Sequence, residues 1–332
     1  MDGTNMASLR RVLAKRIFNA FLAILLIMLV NFVLFRVMPG DAALMETPRL
    51  PGDAAKAIYE RNVELMGLDQ ELHVQLYRYF IQTFMLDWGE SYKYELPVTT
   101  VVANSIMWTM LLLGVSSFLT FVIGIWLGKV AANRRGRTAD VSITGFGLFF
   151  YGMPIFWFAI VLMYLFAVKI PVFPLSGYMD AGLSPEFSLD AIANILWHMT
   201  LPVATLTIGA LAGIILIQRN SLVDVLTEEY IVTAYAKGLS EKQVMRKHAT
   251  PNARLPIVTT IAMDIAFILG GAFQVEYVFS YKGIGWVTID AINDYDYPIL
   301  QFIVLIGGVA VVVANLLADI VLVILDPRVK IT

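Results

Sequence analysis

The sequence predicts an all-α protein that crosses a membrane several times. Of its 332 residues, 58% are hydrophobic and 15% are charged, whereas soluble domains average about 45–50% apolar and about 25% charged residues. The hydrophobic residues form long runs, and no sustained alternation of apolar and polar residues indicates a strand. Because a backbone exposed to lipid cannot leave its polar groups unpaired, such runs indicate transmembrane helices.

The first apolar run covers residues 17–35 and follows a basic N-terminal segment. A cleaved signal peptide has a core of about 7–15 apolar residues and then small residues at the cleavage site. The run at 17–35 is longer and ends at Arg36, so we predict an uncleaved first transmembrane helix near the ~20 residues that a bilayer needs. A cleaved signal is the alternative.

Five further apolar runs follow, at about residues 99–127, 141–168, 195–217, 255–279 and 299–325. They predict six transmembrane helices in total. The prediction divides the chain into three parts. These are the N-terminus with the first helix (residues 1–37), an extracytoplasmic helical segment (38–98) and a five-helix core (99–332).

The segment 38–98 opens with Pro and Gly turn signals and then carries one helical pattern. Leu72, Leu76, Phe80 and Phe84 recur every fourth residue, which is the spacing of one helical face. The pattern fits a small helical cap on the membrane surface. It also fits a docking surface for an external partner.

Basic residues predict the orientation, because cytoplasmic loops are enriched in Lys and Arg. With the N-terminus inside, sixteen of the 24 Lys and Arg residues fall on the inner side and eight on the outer side. Both termini are therefore predicted to be cytoplasmic in a multi-pass cell-membrane protein. The same orientation places residues 221–256, between the fourth and fifth helices, in the cytoplasm.

The composition argues against several classes of function. The chain has no cysteine, and its net charge of −2 gives no indication of nucleic-acid binding. No Gly-x-x-x-x-Gly-Lys followed by Ser or Thr is present to hold ATP, and neither a zincin nor a hydrolase motif occurs. The three histidines (His73, His198 and His248) are far apart in sequence. We therefore predict no catalytic residue, cofactor or metal site in this chain.

The charged stretch at 228–256 predicts two short helices joined at Gly238. Glycine accepts the left-handed conformation that often ends a helix. Ser240 and Gln243 have the spacing of a capping box, in which the fourth residue reaches back to the first. The helix that they start is predicted to end before Pro251. An ordinary solvated loop is the alternative.

Several segments of the sequence resemble those of a known family. The segment from Tyr230 to Ser240, read YIVTAYAKGLS, resembles the cytoplasmic EAA loop of permeases in ABC importers of the dipeptide, oligopeptide and nickel type, some of which carry oligosaccharides. Five further pieces match in the same order along the chain: Met38-Pro39-Gly40-Asp41, Gly67-Leu68-Asp69-Gln70, Glu276-Tyr277-Val278-Phe279-Ser280 with Gly283-Ile284-Gly285, Asp296-Tyr297-Pro298, and Leu325-Asp326-Pro327-Arg328. Val232 and Thr233 stand where the general pattern has Glu and Ala.

The resemblance implies a transport subunit that pairs with a second homologous permease in the lipid bilayer. Two separate ATPase subunits would hold ATP and Mg²⁺, and an extracytoplasmic binding protein would deliver the solute. The loop would form the coupling helix that contacts an ATPase. The residues implied there are Glu229, Tyr230, Ala234, Ala236, Lys237, Gly238, Ser240, His248 and Pro251. Peptide, nickel and oligosaccharide remain open as solutes.

Ionisable residues inside predicted spans are candidates for the translocation pathway, because each is costly in lipid. Asp264 lies within the fifth span and is expected to face a water-filled cavity or a partner subunit, or else to hydrogen-bond a neighbouring helix. Glu276 and Phe279 match the family's segment after the fifth helix and are gate candidates. An ion-coupled secondary transporter using Asp264 and Glu276 is the alternative function, although no inverted repeat is evident.

Overall fold

The computed structural model describes residues 3–37, 53–65, 69–180, 182–183, 188–254, 256–258, 260–261 and 272–325. Most of these residues are helical, and within these ranges there is no strand, only an isolated bridge between Glu90 and Pro97. The all-α prediction is therefore confirmed. The chain divides into two compact units, one formed by residues 1–107 and 283–332 and the other by residues 108–282.

The named helices follow one another along the chain. They are α1 (Gly3–Val37), α2 (Asp53–Leu65), α3 (Leu72–Phe84), α4 (Val98–Asn133), α5 (Thr138–Tyr151), α6 (Ile155–Met163), α7 (Leu189–Leu226), α8 (Glu229–Ala236), α9 (Glu241–Val244), α10 (Thr250–Asn252), α11 (Phe273–Val278), α12 (Ile284–Asn293) and α13 (Tyr297–Leu325). Two π-helical turns, Tyr164–Lys169 and Met245–Ala249, extend α6 and α9.

In the first unit, α1 packs lengthwise against α13. A side chain on Gly308 of α13 would place its Cβ only 2.8 Å from Ile27 Cγ2, so the two helices approach closely at this glycine. The buried Asn31 donates to the Tyr79 hydroxyl at 3.0 Å and to the carbonyl of Gln301 at 3.0 Å. Because burying an amide without partners is costly, these bonds hold α1, α3 and α13 in a defined register.

The predicted face of α3 is only partly right. Leu76 and Phe80 pack against the cluster around Met28, but Leu72 and Phe84 are 65% and 63% exposed. The aromatic residue of α3 that is buried is Tyr79, at 8% exposure. The buried positions of this helix are Gln75, Tyr79 and Thr83, which have the same spacing of four but begin one residue earlier than the predicted row. Because a helix turns by about 100° per residue, this shift of one position rotates the buried face away from the predicted side chains.

In the second unit, α7 is the central helix, with α5 and α6 packed on it. Glycines permit the close contacts. A Cβ on Gly147 of α5 would lie 3.2 Å from the Cα of Ala212, and one on Gly124 of α4 would lie 2.8 Å from the Cβ of Ile214. Small residues at helix contacts are the usual means by which membrane helices bring their backbones together.

Three described helices are long and apolar enough to cross a membrane: residues Ala14–Val37, Val98–Asn133 and Leu189–Leu226. A fourth span is present if Thr138–Tyr151 and Ile155–Lys169 count as one, although they are bent by 97°. The predicted third span, 141–168, is therefore not one straight helix. The break falls at Pro154, which has no backbone N–H and disfavours the helical conformation of the residue before it.

The other predicted spans have mixed outcomes. Those at 17–35, 99–127 and 195–217 lie within α1, α4 and α7, which are long and apolar enough to cross a membrane. The one at 299–325 lies in α13 (Tyr297–Leu325), of which the stretch Tyr297–Val313 counts as a shorter apolar helix. The predicted fifth span at 255–279 is described only in part, because residues 262–271, with Asp264, lie outside the described residues. The count of six spans therefore stays a prediction.

Candidate functional site

The loop at residues 228–256 contains the sharp turn that its sequence predicts. Gly238 has φ +80°, in the left-handed region. Its N–H donates to the Tyr235 carbonyl at 2.9 Å, and the N–H of Leu239 donates to the Ala234 carbonyl at 3.4 Å. These two bonds form a Schellman motif, which ends α8 by satisfying carbonyls that have no partner within the helix.

The next helix begins as predicted and ends later than predicted. The backbone N–H of Ser240 donates to Gln243 Oε1 at 3.0 Å, which is the returning bond of a capping box. The helical path from Glu241 then passes through the π turn Met245–Ala249 and includes Pro251 within α10. The prediction that it ends before Pro251 is wrong. Pro251 lies at the start of a new turn, where its missing N–H is not required.

One face of this loop packs against the chain's own helices. Ile231, Ala234, Val244, Ala249 and Ala253 are buried together with Leu222 of α7 and Ala132 of α4. In addition, Ser221 Oγ donates to the Ala253 carbonyl at 3.1 Å, which ties the return of the loop to α7. The small side chain of Ala234 thus lets α8 lie close to the rest of the second unit.

The opposite face of α8 is exposed and partly aromatic. Tyr230, Val232 and Tyr235 are 42%, 63% and 45% exposed. Of the residues that the resemblance implies, the exposed ones are Glu229, Tyr230, Ala236, Lys237, Gly238, Ser240 and Pro251, whereas Ala234 is buried and His248 is partly buried. The loop therefore presents one packed face and one free face.

The two described gate candidates are both buried. Glu276 is fully buried, and its Oε1 accepts from Thr109 Oγ1 at 2.8 Å and from the backbone N–H of Ala272 at 3.4 Å. Phe279 is 2% exposed and packs in an apolar cluster with Ala159 and Leu201. The third candidate, Asp264, lies outside the described residues.

An aromatic cluster next to Glu276 has no signal in the sequence. The ring centroids of Trp108 and Tyr178 are 4.2 Å apart, and each lies 6.4 Å from that of Tyr281. The N–H of Gly177 donates to the carbonyl of Phe279 at 2.8 Å. Together these contacts fasten the segment that carries Tyr178 onto the turn that follows α11.

Two polar networks were also missed, because their members are far apart in sequence. In the second unit, Arg219 of α7 forms a two-pronged ion pair with Asp140 of α5, at 2.6 and 2.7 Å. The side chains are 22% and 5% exposed, respectively. Thus the start of α5 and the last turns of α7 are held together by charge-assisted hydrogen bonds, which are stronger than neutral ones.

In the first unit, a strap formed by residues 87–97 is fastened to the end of α12 and to the turn between α12 and α13. Lys93 Nζ donates to Asp290 at 2.7 Å and to Asp294 at 2.5 Å, and Ser91 Oγ donates to the buried Asp296 at 2.5 Å. Burial and the hydrogen bond to Asp290 raise the pKa of Tyr94. Burial lowers the pKa of Lys93, but the hydrogen bonds to both carboxylates outweigh it, so the pKa is raised.

Comparison with known proteins agrees with the resemblance along almost the whole chain. Residues 120–331 match the family described as binding-protein-dependent transport system inner membrane component, and residues 9–113 match the N-terminal part described for such membrane components. This chain belongs to that family. It is accordingly a multi-pass membrane protein of a transport system.

Individual relatives of this permease are similar over nearly their full length. The oligopeptide transport system permease protein AppB of Bacillus subtilis is 33% identical over 306 residues, covering 92% of this chain and 94% of AppB. The probable peptide ABC transporter permease protein y4tP of Sinorhizobium fredii is 32% identical over 320 residues, covering 95% of this chain and 98% of y4tP.

A solved structure shares the fold of the permease. The MetNI methionine ABC transporter, in an inward-facing conformation, aligns with a TM-score of 0.53 and 17% identity over 69% of this chain and 97% of the MetNI chain. With the relatives named as permeases, the chain is a transport subunit. The alternative of an ion-coupled secondary transporter using Asp264 and Glu276 has no support among these similarities.

Proposed function

We propose that this chain is one permease subunit of an ATP-driven peptide importer and that it contacts an ATPase through loop 228–256. The observation that carries the proposal is the two-sided loop: its buried face packs on α4 and α7, while its free face exposes Tyr230, Val232 and Tyr235. Exposed aromatic residues are frequent anchors of protein interfaces. Since the chain has no phosphate-binding loop, ATP and Mg²⁺ would be held by the partner subunits.

The residues of the loop divide into two roles in this proposal. Glu229, Tyr230, Ala236 and Lys237 would touch the ATPase, together with the exposed Gly238, Ser240 and Pro251. Ala234 and His248 would support that surface from behind, because Ala234 is buried and His248 is partly buried. Gly238 would set the angle between the two short helices.

The proposed assembly contains a second homologous permease, two ATPase subunits and an extracytoplasmic binding protein. In it the chain has six transmembrane helices, with both termini and residues 221–256 in the cytoplasm. Residues 1–37 form the N-terminus and first helix, residues 38–98 an extracytoplasmic helical segment, and residues 99–332 the five-helix core. The uneven distribution of Lys and Arg supports this orientation.

Peptides are the proposed solute, because the relatives that cover nearly all of this chain are named as oligopeptide and peptide permeases. Nickel or an oligosaccharide is the alternative from the wider resemblance. Asp264, Glu276 and Phe279 are the proposed pathway or gate residues. Screening short peptides, Ni²⁺ and oligosaccharides for binding to the cognate binding protein decides between these solutes, and binding of Ni²⁺ or an oligosaccharide alone would contradict the peptide proposal.

Co-purification tests the ATPase contact. The tagged chain is expressed with its candidate ATPase subunits, and the ATPase retained in detergent is measured. We expect Tyr235→Ala to reduce the retained ATPase about tenfold, since a buried aromatic anchor contributes more than 1.4 kcal/mol to binding. The unfolding temperature of the isolated chain should not change, because the Tyr235 ring is on the free face.

Ile231→Ala, on the packed face of the same helix, is the matched control. Ile231 is 1% exposed, so its truncation should destabilise the chain by about 2–5 kcal/mol. If Tyr235→Ala retained as much ATPase as the unmodified chain, the proposed contact surface would be wrong.

A further inference from the structure

The cytoplasmic end of α7 connects to three other parts of the second unit within one turn. At Gln218, α7 lies against Gly128 of α4 so closely that a Cβ on Gly128 would be 2.7 Å from the Cβ of Gln218. Arg219 pairs with Asp140 of α5. Ser221 bonds the Ala253 carbonyl, at the returning end of loop 228–256.

The contact to α5 is the most directional of the three. Arg219 Nε donates to Asp140 Oδ1 at 2.6 Å, and Nη2 donates to Oδ2 at 2.7 Å. Oδ2 also accepts the N–H of Gly136 at 2.9 Å, in the left-handed turn between α4 and α5. One buried carboxylate thus joins the arginine of α7 to the turn that starts α5. A two-pronged pair defines both distance and relative orientation.

Stability alone does not account for this pair. Removing two charges from water costs free energy that their attraction repays only with good geometry, and apolar replacements of buried pairs are often neutral or stabilising. The α5–α7 contact already has close apolar packing at Gly147 and Ala212. What the ion pair adds is a defined angle and register between the cytoplasmic ends of the two helices.

The position of the pair relates this register to the loop. α7 continues only to Leu226, and α8 begins at Glu229. The loop returns to α7 at Ser221, two residues after Arg219. A displacement of the loop therefore acts on α7 next to the ion pair. We infer that Asp140 and Arg219 are positioning residues that transmit movement of loop 228–256 from α7 to α5. This inference rests on the proposed function.

Arg219→Lys tests the proposed connection between α7 and α5. Lysine keeps the positive charge but cannot make the two-pronged contact. The complete transporter is reconstituted in lipid vesicles with its binding protein, and both ATP hydrolysis and uptake of a mixture of radiolabelled tripeptides are measured. We expect hydrolysis to remain within about twofold of the unmodified complex and uptake per ATP to fall at least fivefold. Arg137→Lys, at an exposed arginine in the turn between α4 and α5, is the control and should leave uptake per ATP unchanged.

An engineered disulfide between α5 and α7 tests whether the ion pair acts by connecting the two helices rather than through its charges. The chain has no cysteine, and a Cβ on Gly147 would lie 3.4 Å from that of Ala212, close to the separation in disulfides of about 3.5–4.5 Å. Asp140→Asn should uncouple uptake from hydrolysis. Adding Gly147→Cys and Ala212→Cys should restore uptake per ATP when oxidised and lose it again after reduction.

The outcomes distinguish this inference from the proposed function. The inference would be overturned if Arg219→Lys left uptake per ATP unchanged. It would also be overturned if uptake, ATP hydrolysis and thermal stability all fell in equal proportion. The inference would also be overturned if the oxidised disulfide failed to restore uptake per ATP. If the unmodified complex neither retained an ATPase nor hydrolysed ATP during uptake, the proposed function itself would fail.

Discussion

At the scale of single residues, glycine has two different physical purposes in this chain. Gly238 is needed for its backbone conformation, because its φ is +80° and nothing lies within 4 Å of the place where a Cβ would be. Gly128 has the opposite character: its backbone is ordinary helix, but Gln218 and Ile215 occupy the space of a Cβ. Gly145 has neither feature. The cost of replacing a glycine should therefore differ in kind as well as in size.

For Gly238→Ala we expect a loss of about 1–2 kcal/mol in stability, which is the cost of placing an L-residue in the left-handed region. Gly238→Asn should be milder, since asparagine tolerates this conformation. Thermal unfolding in detergent measures both. Gly145→Ala is the control, for which we expect no loss and a gain of up to ~1 kcal/mol. Equal losses at both positions would rule out the backbone explanation.

Gly128→Ala should destabilise the chain by about 1–3 kcal/mol, because the new Cβ would lie 2.7 Å from the Cβ of Gln218 and 2.8 Å from the carbonyl of Ile215. Gly114→Ala on the same helix has no neighbour within 4 Å and should be neutral or slightly stabilising. Denaturant unfolding of the two variants checks the comparison. A neutral Gly128→Ala would show that α4 and α7 are not in close contact at this point.

At the scale of elements, short segments are positioned by single buried polar groups. Trp88 and Tyr94 of the strap 87–97 pack against an apolar cluster, and Asp296 accepts from Ser91 Oγ and the Lys93 N–H on that strap. The same carboxyl group accepts the N–H of Ile299 at 3.4 Å, in the first turn of α13. One side chain thus caps a helix and holds the strap against it.

We predict that Asp296→Ala costs about 1.5–3 kcal/mol and frees the strap locally, because Ser91 loses a charged hydrogen-bond partner. Hydrogen exchange should become faster at the Val98 amide, which donates to the Gly89 carbonyl. Asp294→Ala is a suitable control, because its side chain is 46% exposed and an exposed ion pair contributes at most about 1 kcal/mol. If hydrogen exchange at the Val98 amide were unchanged in Asp296→Ala, the other contacts of the strap would be what holds it in place.

At the scale of the whole molecule, the proposed topology assigns the two polar networks to opposite sides of the membrane. In that topology, the Asp140–Arg219 pair lies next to the proposed cytoplasmic loop 228–256, and the strap lies in the proposed extracytoplasmic segment. Both sides carry residues exposed enough to be labelled, and the chain contains no natural cysteine. The orientation can therefore be tested with one introduced thiol at a time.

A membrane-impermeant maleimide should label Glu90→Cys in intact cells. Lys242→Cys should react only after permeabilisation, because it lies in loop 228–256. Both positions are exposed in the structure, so differences in labelling report the side of the membrane rather than burial. Labelling of Lys242→Cys in intact cells would reverse the proposed orientation.

Local signals predicted the turn chemistry well. The conformation of Gly238 and the returning bond from Ser240 to Gln243 depend on residues within four positions of one another. The end of the following helix was wrong because the π turn Met245–Ala249 changes the register before Pro251. On α3, a spacing of four found Leu76 and Phe80 but missed Tyr79, whose hydroxyl accepts a hydrogen bond from Asn31 of another helix.

The sequence by itself determined the all-helical membrane class, the family and the helix–glycine–helix form of the loop, because composition, motif order and capping act over short distances. Only the tertiary structure decided which face of α8 is free and which polar groups meet. Asp140 and Arg219 are 79 positions apart, and Ser91 and Asp296 are 205 apart. Such pairings follow from how helices pack, since many polar residues could pair in principle and only the packed arrangement brings two of them within hydrogen-bond distance.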